Sequence, residues 1–94
     1  MYRFQIRAYT QMGESICLVG STPELGLWDI RKCVQLRTSG DRYPLWWTDT
    51  EIDIQPSLES DNGQKVEYKY VRLTATRSLP IGKNYKLHCK IRLD

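Results

Sequence analysis

Hydrophobic residues recur along this chain with a period of two. In residues 1–10 every second side chain is apolar or aromatic, and the positions between them are mostly polar. The same alternation or a short apolar run occurs in residues 16–19, 33–36, 45–54, 65–74 and 85–93. A period of two places successive side chains on opposite faces of an extended chain. The pattern predicts about six or seven β-strands and no long helix.

Segments rich in turn-forming residues separate these runs. Glycine, proline, asparagine, aspartate and serine concentrate in or around residues 11–14, 38–42, 61–63 and 79–84. These residues favour tight turns because they tolerate or fix special backbone angles. Short strands joined by turns indicate an all-β protein, either an antiparallel sandwich or a barrel. With 94 residues the chain is predicted to form one domain, residues 1–94.

Charge and composition narrow the function classes. The net charge of +3 comes from 14 basic and 11 acidic residues spread along the chain, so no basic tract demands nucleic acid. The aromatic residues are mostly tyrosine (6) and tryptophan (3), the rings that proteins use at wet binding surfaces. No signal-peptide pattern occurs, and no apolar run approaches the ~20 residues of a membrane helix.

The three cysteines, Cys17, Cys33 and Cys89, show neither a C-x-x-C pair nor a zinc-like spacing to the single His88. We therefore expect no metal and no cofactor. Each cysteine lies in an apolar or alternating run, which favours small buried thiols. Unpaired thiols are typical of a reducing compartment, and we expect the protein to be intracellular, in the cytoplasm.

One short loop is the most informative segment, Gly-Ser-Thr-Pro-Glu-Leu-Gly-Leu-Trp-Asp from residue 20. Thr22 suits a helix N-cap, Pro23 the first helical position, and Gly26 the left-handed residue that ends a single turn. Such a turn directs Leu25 into the core. Taken alone, Trp28 is more readily explained as a core side chain than as a ligand platform, because large aromatic residues are mostly buried.

Four motifs follow one another in a fixed order. They are Gly-Glu at residues 13–14 before the apolar run, Pro-Glu-Leu-Gly-x-Trp ending at Trp28, Tyr-Pro-x-Trp at residues 43–46, and Glu-Tyr-Lys-Tyr-Val at residues 67–71. In order and spacing the chain resembles the starch-binding domains of carbohydrate-binding module family 20, from about residue 4 to residue 71. The resemblance implies an immunoglobulin-like, open-sided β-barrel that binds α-1,4-glucans such as starch, amylopectin, glycogen, maltooligosaccharides and cyclodextrin, and that catalyses nothing.

The resemblance also implies a first carbohydrate-binding site. In it, glucose stacks on Trp28, and Lys69 and Asn84 bond the sugar hydroxyls. The family's second tryptophan at this site falls near Leu79 or Arg77, and this chain has no tryptophan there. We therefore expect an incomplete and weaker site, or one in which another ring, such as Tyr70 or Tyr85, substitutes.

A second site is implied around the Gly-Glu and Tyr-Pro-x-Trp motifs. Its residues are Met12, Gly13, Glu14, Tyr43 and Trp46. The period of two bears on which tryptophan is exposed. Trp46 is in phase with apolar residues, whereas Trp47 is in phase with acidic residues. Period alone makes Trp46 the core ring, which leaves open whether it touches ligand.

Other function classes remain as alternatives. A small β-barrel with exposed aromatic residues can bind single-stranded nucleic acid by stacking bases, and it can also serve as a protein-interaction domain. An enzyme is disfavoured because the carboxylates are scattered and His88 has no partner in a catalytic motif. The expected partner is an α-glucan, with no nucleic acid and no membrane. We expect a monomer, either standing alone or fused to or associated with a starch- or glycogen-metabolising enzyme.

Overall fold

A computed structural model describes residues 1–54 and 64–89 of the chain. Two short 3₁₀ segments, Pro23–Trp28 and Ile30–Lys32, accompany the strands, and every described strand pairing is antiparallel. The all-β antiparallel class predicted from the period of two is therefore confirmed. The strands are β1 (Gln5–Arg7), β2 (Ser15–Gly20), β3 (Val34–Gln35), β4 (Leu45–Trp47), β5 (Gln64–Leu73) and β6 (Ser78–Cys89).

The strands form two sheets. One contains β1 and β4, and the other has the order β3-β2-β5-β6. Isolated bridges from Tyr2 to Ile52 and from Arg37 to Trp47 extend the smaller sheet. In the described residues the first and last strands are not neighbours, because β1 pairs with β4 and β6 pairs with β5.

The main core lies between the two sheets. Strand β2 is buried on both faces, which explains why its sequence is a continuous apolar run rather than an alternating one. Ile16 and Leu18 point into the main core, whereas Cys17 and Val19 pack on the outer face in a second cluster with Val71. The segment that follows the Trp28 turn covers this second cluster through Ile30 and Cys33. The main core contains Phe4, Ala8, Ile16, Leu18, Leu25, Leu36, Trp46, Ile54, Val66 and Tyr70.

The turn predicted over residues 79–84 is wrong, because these residues lie within β6. The chain reverses earlier, where the Thr74 N–H donates to the Arg77 carbonyl at 2.9 Å. The glycine and asparagine of the predicted turn belong instead to a bulge. Tyr68 pairs with Tyr85 but Tyr70 pairs with Ile81, so β6 has two more residues than β5 between these pairs. The turn predicted over residues 61–63 lies outside the described residues.

Candidate functional site

The loop that carries Trp28 is attached to strand β5 at its first residues. The Ser21 N–H donates to the Glu67 carbonyl at 2.9 Å, and the Glu67 N–H donates to Ser21 Oγ at 3.0 Å. Gly20 makes this approach possible, because a Cβ at that position would lie 2.6 Å from the Glu67 carbonyl oxygen. Since Lys69 is two residues further along β5, the attachment holds the loop beside that lysine.

The loop then turns through three consecutive residues in the left-handed region. Gly26, Leu27 and Trp28 have φ values of 85°, 51° and 64°, and this region is costly for side chains other than glycine. Hydrogen bonds from Leu27 N–H to the Thr22 carbonyl and from Asp29 N–H to the Gly26 carbonyl hold the conformation. Gly26 ends the turn as predicted. Backbone strain that the surroundings impose on an exposed aromatic residue points to function.

The turn separates a core residue from an exposed ring. Leu25 is fully buried in the main core, as predicted, and 40% of Trp28 is exposed. Thr22 occupies the N-cap position, but its side chain makes no capping hydrogen bond, and its Oγ1 is buried without a partner in the described residues. The turn is therefore held by backbone hydrogen bonds and by Leu25.

Trp28 and Lys69 form the centre of the first candidate site. The Lys69 Nζ lies 5.7 Å from the centroid of the Trp28 ring, within the range of a cation–π contact. Lys69 is out of phase with Tyr68 and Tyr70, which pack toward the main core. The two sequence-predicted residues, 41 positions apart in the chain, are thus brought together with an exposed indole beside an ammonium donor.

A salt bridge fixes the backbone directly after Trp28. Asp29 accepts from Arg31 Nε at 3.2 Å, from its terminal nitrogen at 3.1 Å and from its backbone N–H at 3.0 Å. These hydrogen bonds to Arg31 lower the pKa of Asp29 below its ordinary value. A lowered folded-state pKa contributes stability above the ordinary carboxyl pKa, which is lost as the pH falls through the folded value. The loop conformation is therefore expected to be insensitive to pH near neutrality.

Along the β5–β6 pairing, Asn84 is nearer to Lys69 than Leu79 and Arg77 are. Asn84 lies in the bulge of β6 opposite Lys69, and it is exposed. Leu79 pairs with Arg72, three residues along β5 from Lys69, and Arg77 lies in the turn beyond. At about 3.3 Å per residue, Leu79 is roughly 10 Å from Lys69 along the strand. Both residues are therefore farther from Lys69 along the β5–β6 pairing than Asn84 is.

Neither of the two tyrosines considered as substitutes faces Trp28. Tyr70 is buried, and its hydroxyl donates to the Gln5 carbonyl at 3.0 Å. Tyr85 is 36% exposed, but its ring stacks on Tyr68 with centroids 5.5 Å apart. Both rings lie on the face of β5 opposite to Lys69, because neighbouring residues of a strand alternate between faces. Among the described residues, the aromatic platform of the first site is Trp28 alone.

The second candidate site places Tyr43 against Thr10, directly before the turn that contains residues 12–14. The Tyr43 hydroxyl accepts from the Thr10 N–H at 2.7 Å and donates to the Thr10 carbonyl at 3.0 Å. Tyr43 is 39% exposed. Met12 is fully exposed, and Gly13 takes a φ of 85°. Glu14 Oε1 accepts from the Gln11 N–H at 2.8 Å and so closes this turn.

Trp46 is the core ring of the tryptophan pair, as the period of two indicates. It is 6% exposed, and its indole N–H donates to the Ala8 carbonyl at 3.1 Å. Trp47 is half-buried on the opposite face of β4. Trp46 therefore supports the second site mainly from beneath, since almost none of its ring is available to a ligand.

Tyr9 is a residue of the second site that sequence reasoning missed. It is 71% exposed, and its ring meets Tyr43 edge to face at a centroid distance of 6.2 Å. The signal was present in the sequence, because Tyr9 occupies the polar phase of the first strand with Arg3, Gln5 and Arg7. A large ring at an outward position indicates a surface role. Two exposed tyrosines rather than one therefore form the aromatic part of this surface.

In residues 1–54 and 64–89, no group of three or more histidine, cysteine or acidic side chains could hold a metal ion. Within the same ranges, no helix is long and apolar enough to span a membrane.

The fold and these surfaces together define a β-sandwich domain with exposed aromatic rings suited to carbohydrate binding. Residues 2–86 match the family model described as starch binding domain. The chain therefore belongs to the starch binding domain family, in agreement with the resemblance found in its motifs.

Relatives at the sequence level are amylolytic enzymes. The chain is 39% identical over 72 residues to a Glucoamylase-1 of Arthroderma benhamiae and 36% identical over 74 residues to an Alpha-amylase of Thermomonospora curvata. These alignments cover 74% and 79% of this chain, but only 10% and 11% of the relatives. The chain thus spans about a tenth of the length of the curated relatives it matches.

A solved structure of similar size has the same fold. It is the family 20 carbohydrate-binding module of a maltotetraose-forming amylase from Pseudomonas saccharophila, with a TM-score of 0.63 and 29% identity. The alignment covers 93% of this chain and 87% of that module. The similarity therefore extends over most of that module.

Proposed function

We propose that Trp28 and Lys69, with Asn84 beside them, bind α-1,4-linked glucan, and that the domain itself catalyses no reaction. The observation that carries the proposal is the strained, exposed Trp28 ring, held 5.7 Å from the Lys69 ammonium by a loop attached to β5. A ring in a costly conformation, outside the core, requires a reason other than packing.

The chemistry of this pair suits a pyranose. One face of a glucose ring is lined by C–H groups that lose little on leaving water for an indole face, whereas its rim of hydroxyls needs hydrogen-bond partners. Lys69 offers a charged donor, whose bonds to hydroxyls are stronger than neutral ones. Asn84 offers both a donor and an acceptor. Because Trp28 is the single platform in the described residues, we expect weak binding of short oligosaccharides.

The carboxylates support a non-catalytic role. Glycoside hydrolysis commonly uses two acidic residues that flank the scissile bond at a defined separation. Glu14 closes the turn at the second site, whereas Asp29 pairs with Arg31 beside the first. These two acidic groups have structural partners and belong to different surfaces.

We further propose that the domain targets an amylolytic enzyme to its glucan, as a fused or associated module. This proposal draws on the matched relatives, a glucoamylase and an alpha-amylase. Two surfaces on one rigid body raise the effective concentration on a repetitive polymer, so granules should be held better than soluble oligosaccharides. A monomer is sufficient for this mechanism. We also propose an intracellular location, because three cysteines without a paired spacing are typical of a reducing compartment.

Titration with β-cyclodextrin tests the first site directly. We expect a saturable change in tryptophan fluorescence that is the same in low and high salt, because stacking on a sugar releases few ions. Nucleic-acid binding by the alternative mechanism would weaken steeply with salt. Cellobiose, a β-linked glucose disaccharide, is the control ligand. The proposal would be contradicted if the domain bound cellobiose and β-cyclodextrin with equal affinity, or if it bound neither sugar.

A second prediction concerns Tyr43. Replacing it with alanine removes an exposed ring, so retention on insoluble starch should fall several-fold, whereas the β-cyclodextrin affinity of the first site should stay within about twofold. Sedimentation with starch granules and calorimetry measure the two quantities. Tyr43→Phe is the matched variant, because it keeps the ring and removes only the two hydrogen bonds to Thr10. If Tyr43→Ala were retained on granules like the wild type, the second site would not involve this ring.

A further inference from the structure

A pocket of about 160 Å³ lies on the outer surface of the smaller sheet, and its lining includes Arg42, the residue before Tyr43 of the second candidate site. Strands β1 and β4 place Gln5 opposite Trp47, and these side chains form part of its wall together with Arg3 and Arg42. The buried Thr48 lies at its base, where its Oγ1 accepts from the Phe4 N–H at 3.0 Å. The pocket is therefore built on a rigid part of the fold.

Arg42 is held over this pocket by its backbone and by a ring. Its guanidinium carbon lies 5.3 Å from the centroid of the Trp47 ring. Its backbone is fixed in the preceding turn, because the Arg42 N–H donates to the Ser39 carbonyl at 3.2 Å and its carbonyl accepts from the Leu45 N–H at 3.0 Å. In the described residues no carboxylate forms an ion pair with the Arg42 side chain. The adjacent Asp41 interacts with it only electrostatically and accepts a hydrogen bond from Ser39 Oγ at 2.8 Å.

Arg3 and Gln5 supply further donors. The nearest carboxylate to Arg3 is that of Glu51, with Nε and Oε1 3.6 Å apart and both side chains well exposed. That separation is longer than a direct hydrogen bond. The Gln5 carbonyl accepts from the buried Tyr70 at 3.0 Å, which ties this part of β1 to the core. Two guanidinium groups and an amide therefore line one small pocket beside an indole.

This donor set favours a phosphate monoester on a sugar. One guanidinium group can donate two parallel hydrogen bonds to two oxygens of a phosphate. A neutral glucan has no group that requires two arginines. The half-buried Trp47 ring gives a sugar an apolar surface next to the phosphate. We propose that this pocket binds phosphorylated glucose units of an α-glucan. The proposal rests on the proposed function, since it assigns the phosphate to the same polymer.

The test compares binding of amylopectin that carries phosphate monoesters with the same material after phosphatase treatment. At physiological salt, we expect the wild type to bind the phosphorylated form about tenfold more tightly, which is the contribution of one strong charge-assisted bond. Arg3→Gln and Arg42→Gln should each lose most of this preference. Arg7→Gln is the matched control, because Arg7 is an exposed residue of the same strand that does not line the pocket.

Two further measurements identify the source of the phosphate and distinguish a failure of this inference from a failure of the proposed function. Glucose 6-phosphate should compete with phosphorylated amylopectin better than inorganic phosphate does, because only the former offers a sugar to Trp47. Any of three outcomes would overturn the inference. Glucose 6-phosphate and inorganic phosphate could compete equally well, or the wild type could show no preference for the phosphorylated polymer. The third is that Arg7→Gln loses as much of that preference as Arg3→Gln and Arg42→Gln. β-Cyclodextrin binding in the same samples reports separately on the proposed function.

Discussion

Replacing Trp28 with alanine is expected to lower the affinity for β-cyclodextrin by about 30-fold or more, the effect of losing a binding hot spot. The reason is geometric, because Trp28 is the single platform that faces Lys69 in the described residues. The fold should be nearly unaffected, since 40% of the side chain is already exposed. Calorimetric titration measures the affinity, and circular dichroism the thermal midpoint.

Leu27→Ala is the matched control for this experiment. Leu27 is the preceding residue, it is 57% exposed, and it also has a positive φ. Its truncation therefore reproduces the loss of an apolar side chain from the same strained loop, without removing the ring. Lys69→Met retains the aliphatic stem and removes the charge, and we expect an intermediate loss. A Trp28→Ala protein that bound like Leu27→Ala would exclude Trp28 as the platform.

Replacing Gly26 with alanine is expected to destabilise the domain by about 3 kcal/mol, which corresponds to a fall of roughly 15 °C in the thermal midpoint. Two costs combine at this position. A Cβ would lie 2.6 Å from the Lys32 carbonyl oxygen, a backbone atom, and the φ of +85° is unfavourable for alanine. Relief of this clash would move the segment that carries Trp28, so β-cyclodextrin binding should fall as well.

Gly13→Ala separates these two costs. Gly13 has the same φ of +85°, but nothing lies within 4 Å of the position that its Cβ would take. Gly13→Ala should therefore lower the free energy of unfolding only by the conformational cost, about 1 kcal/mol. Urea unfolding at a fixed temperature measures both variants. Equal losses in Gly13→Ala and Gly26→Ala would show that close packing against Lys32 does not contribute.

Local patterns were sufficient for much of the fold. The period of two identified the buried phase that contains Phe4, Ala8, Trp46 and Ile54, because alternation is a property of any extended chain with one buried face. The proline and glycine that flank Leu25 predicted a single turn with that leucine inside, which the structure confirms. These features depend on neighbours in sequence, so the sequence contains the information directly.

The β5–β6 hairpin shows where local reasoning failed. Its proline, glycine and asparagine predicted a turn over residues 79–84, yet the chain reverses before them and pairs Leu79 with Arg72. Long-range pairing with β5 outweighed local turn preference, and the glycine instead serves a bulge at φ +68°. Counting back from Asn84 gives Leu79 or Arg77 as the position of the family's second tryptophan, and in the structure Leu79 lies three residues along β5 from Lys69.

The sequence by itself determined the all-β class, the Trp28 turn and the family, because each is contained in short-range spacing and in four ordered motifs. Only the tertiary structure decided which side chains meet. The attachment of Ser21 to Glu67 places Trp28 beside Lys69, and the β1–β4 register places Gln5 against Trp47 and assembles the arginine-lined pocket. These contacts join residues more than 40 positions apart, and their geometry follows from sheet register and core packing, which no local pattern specifies.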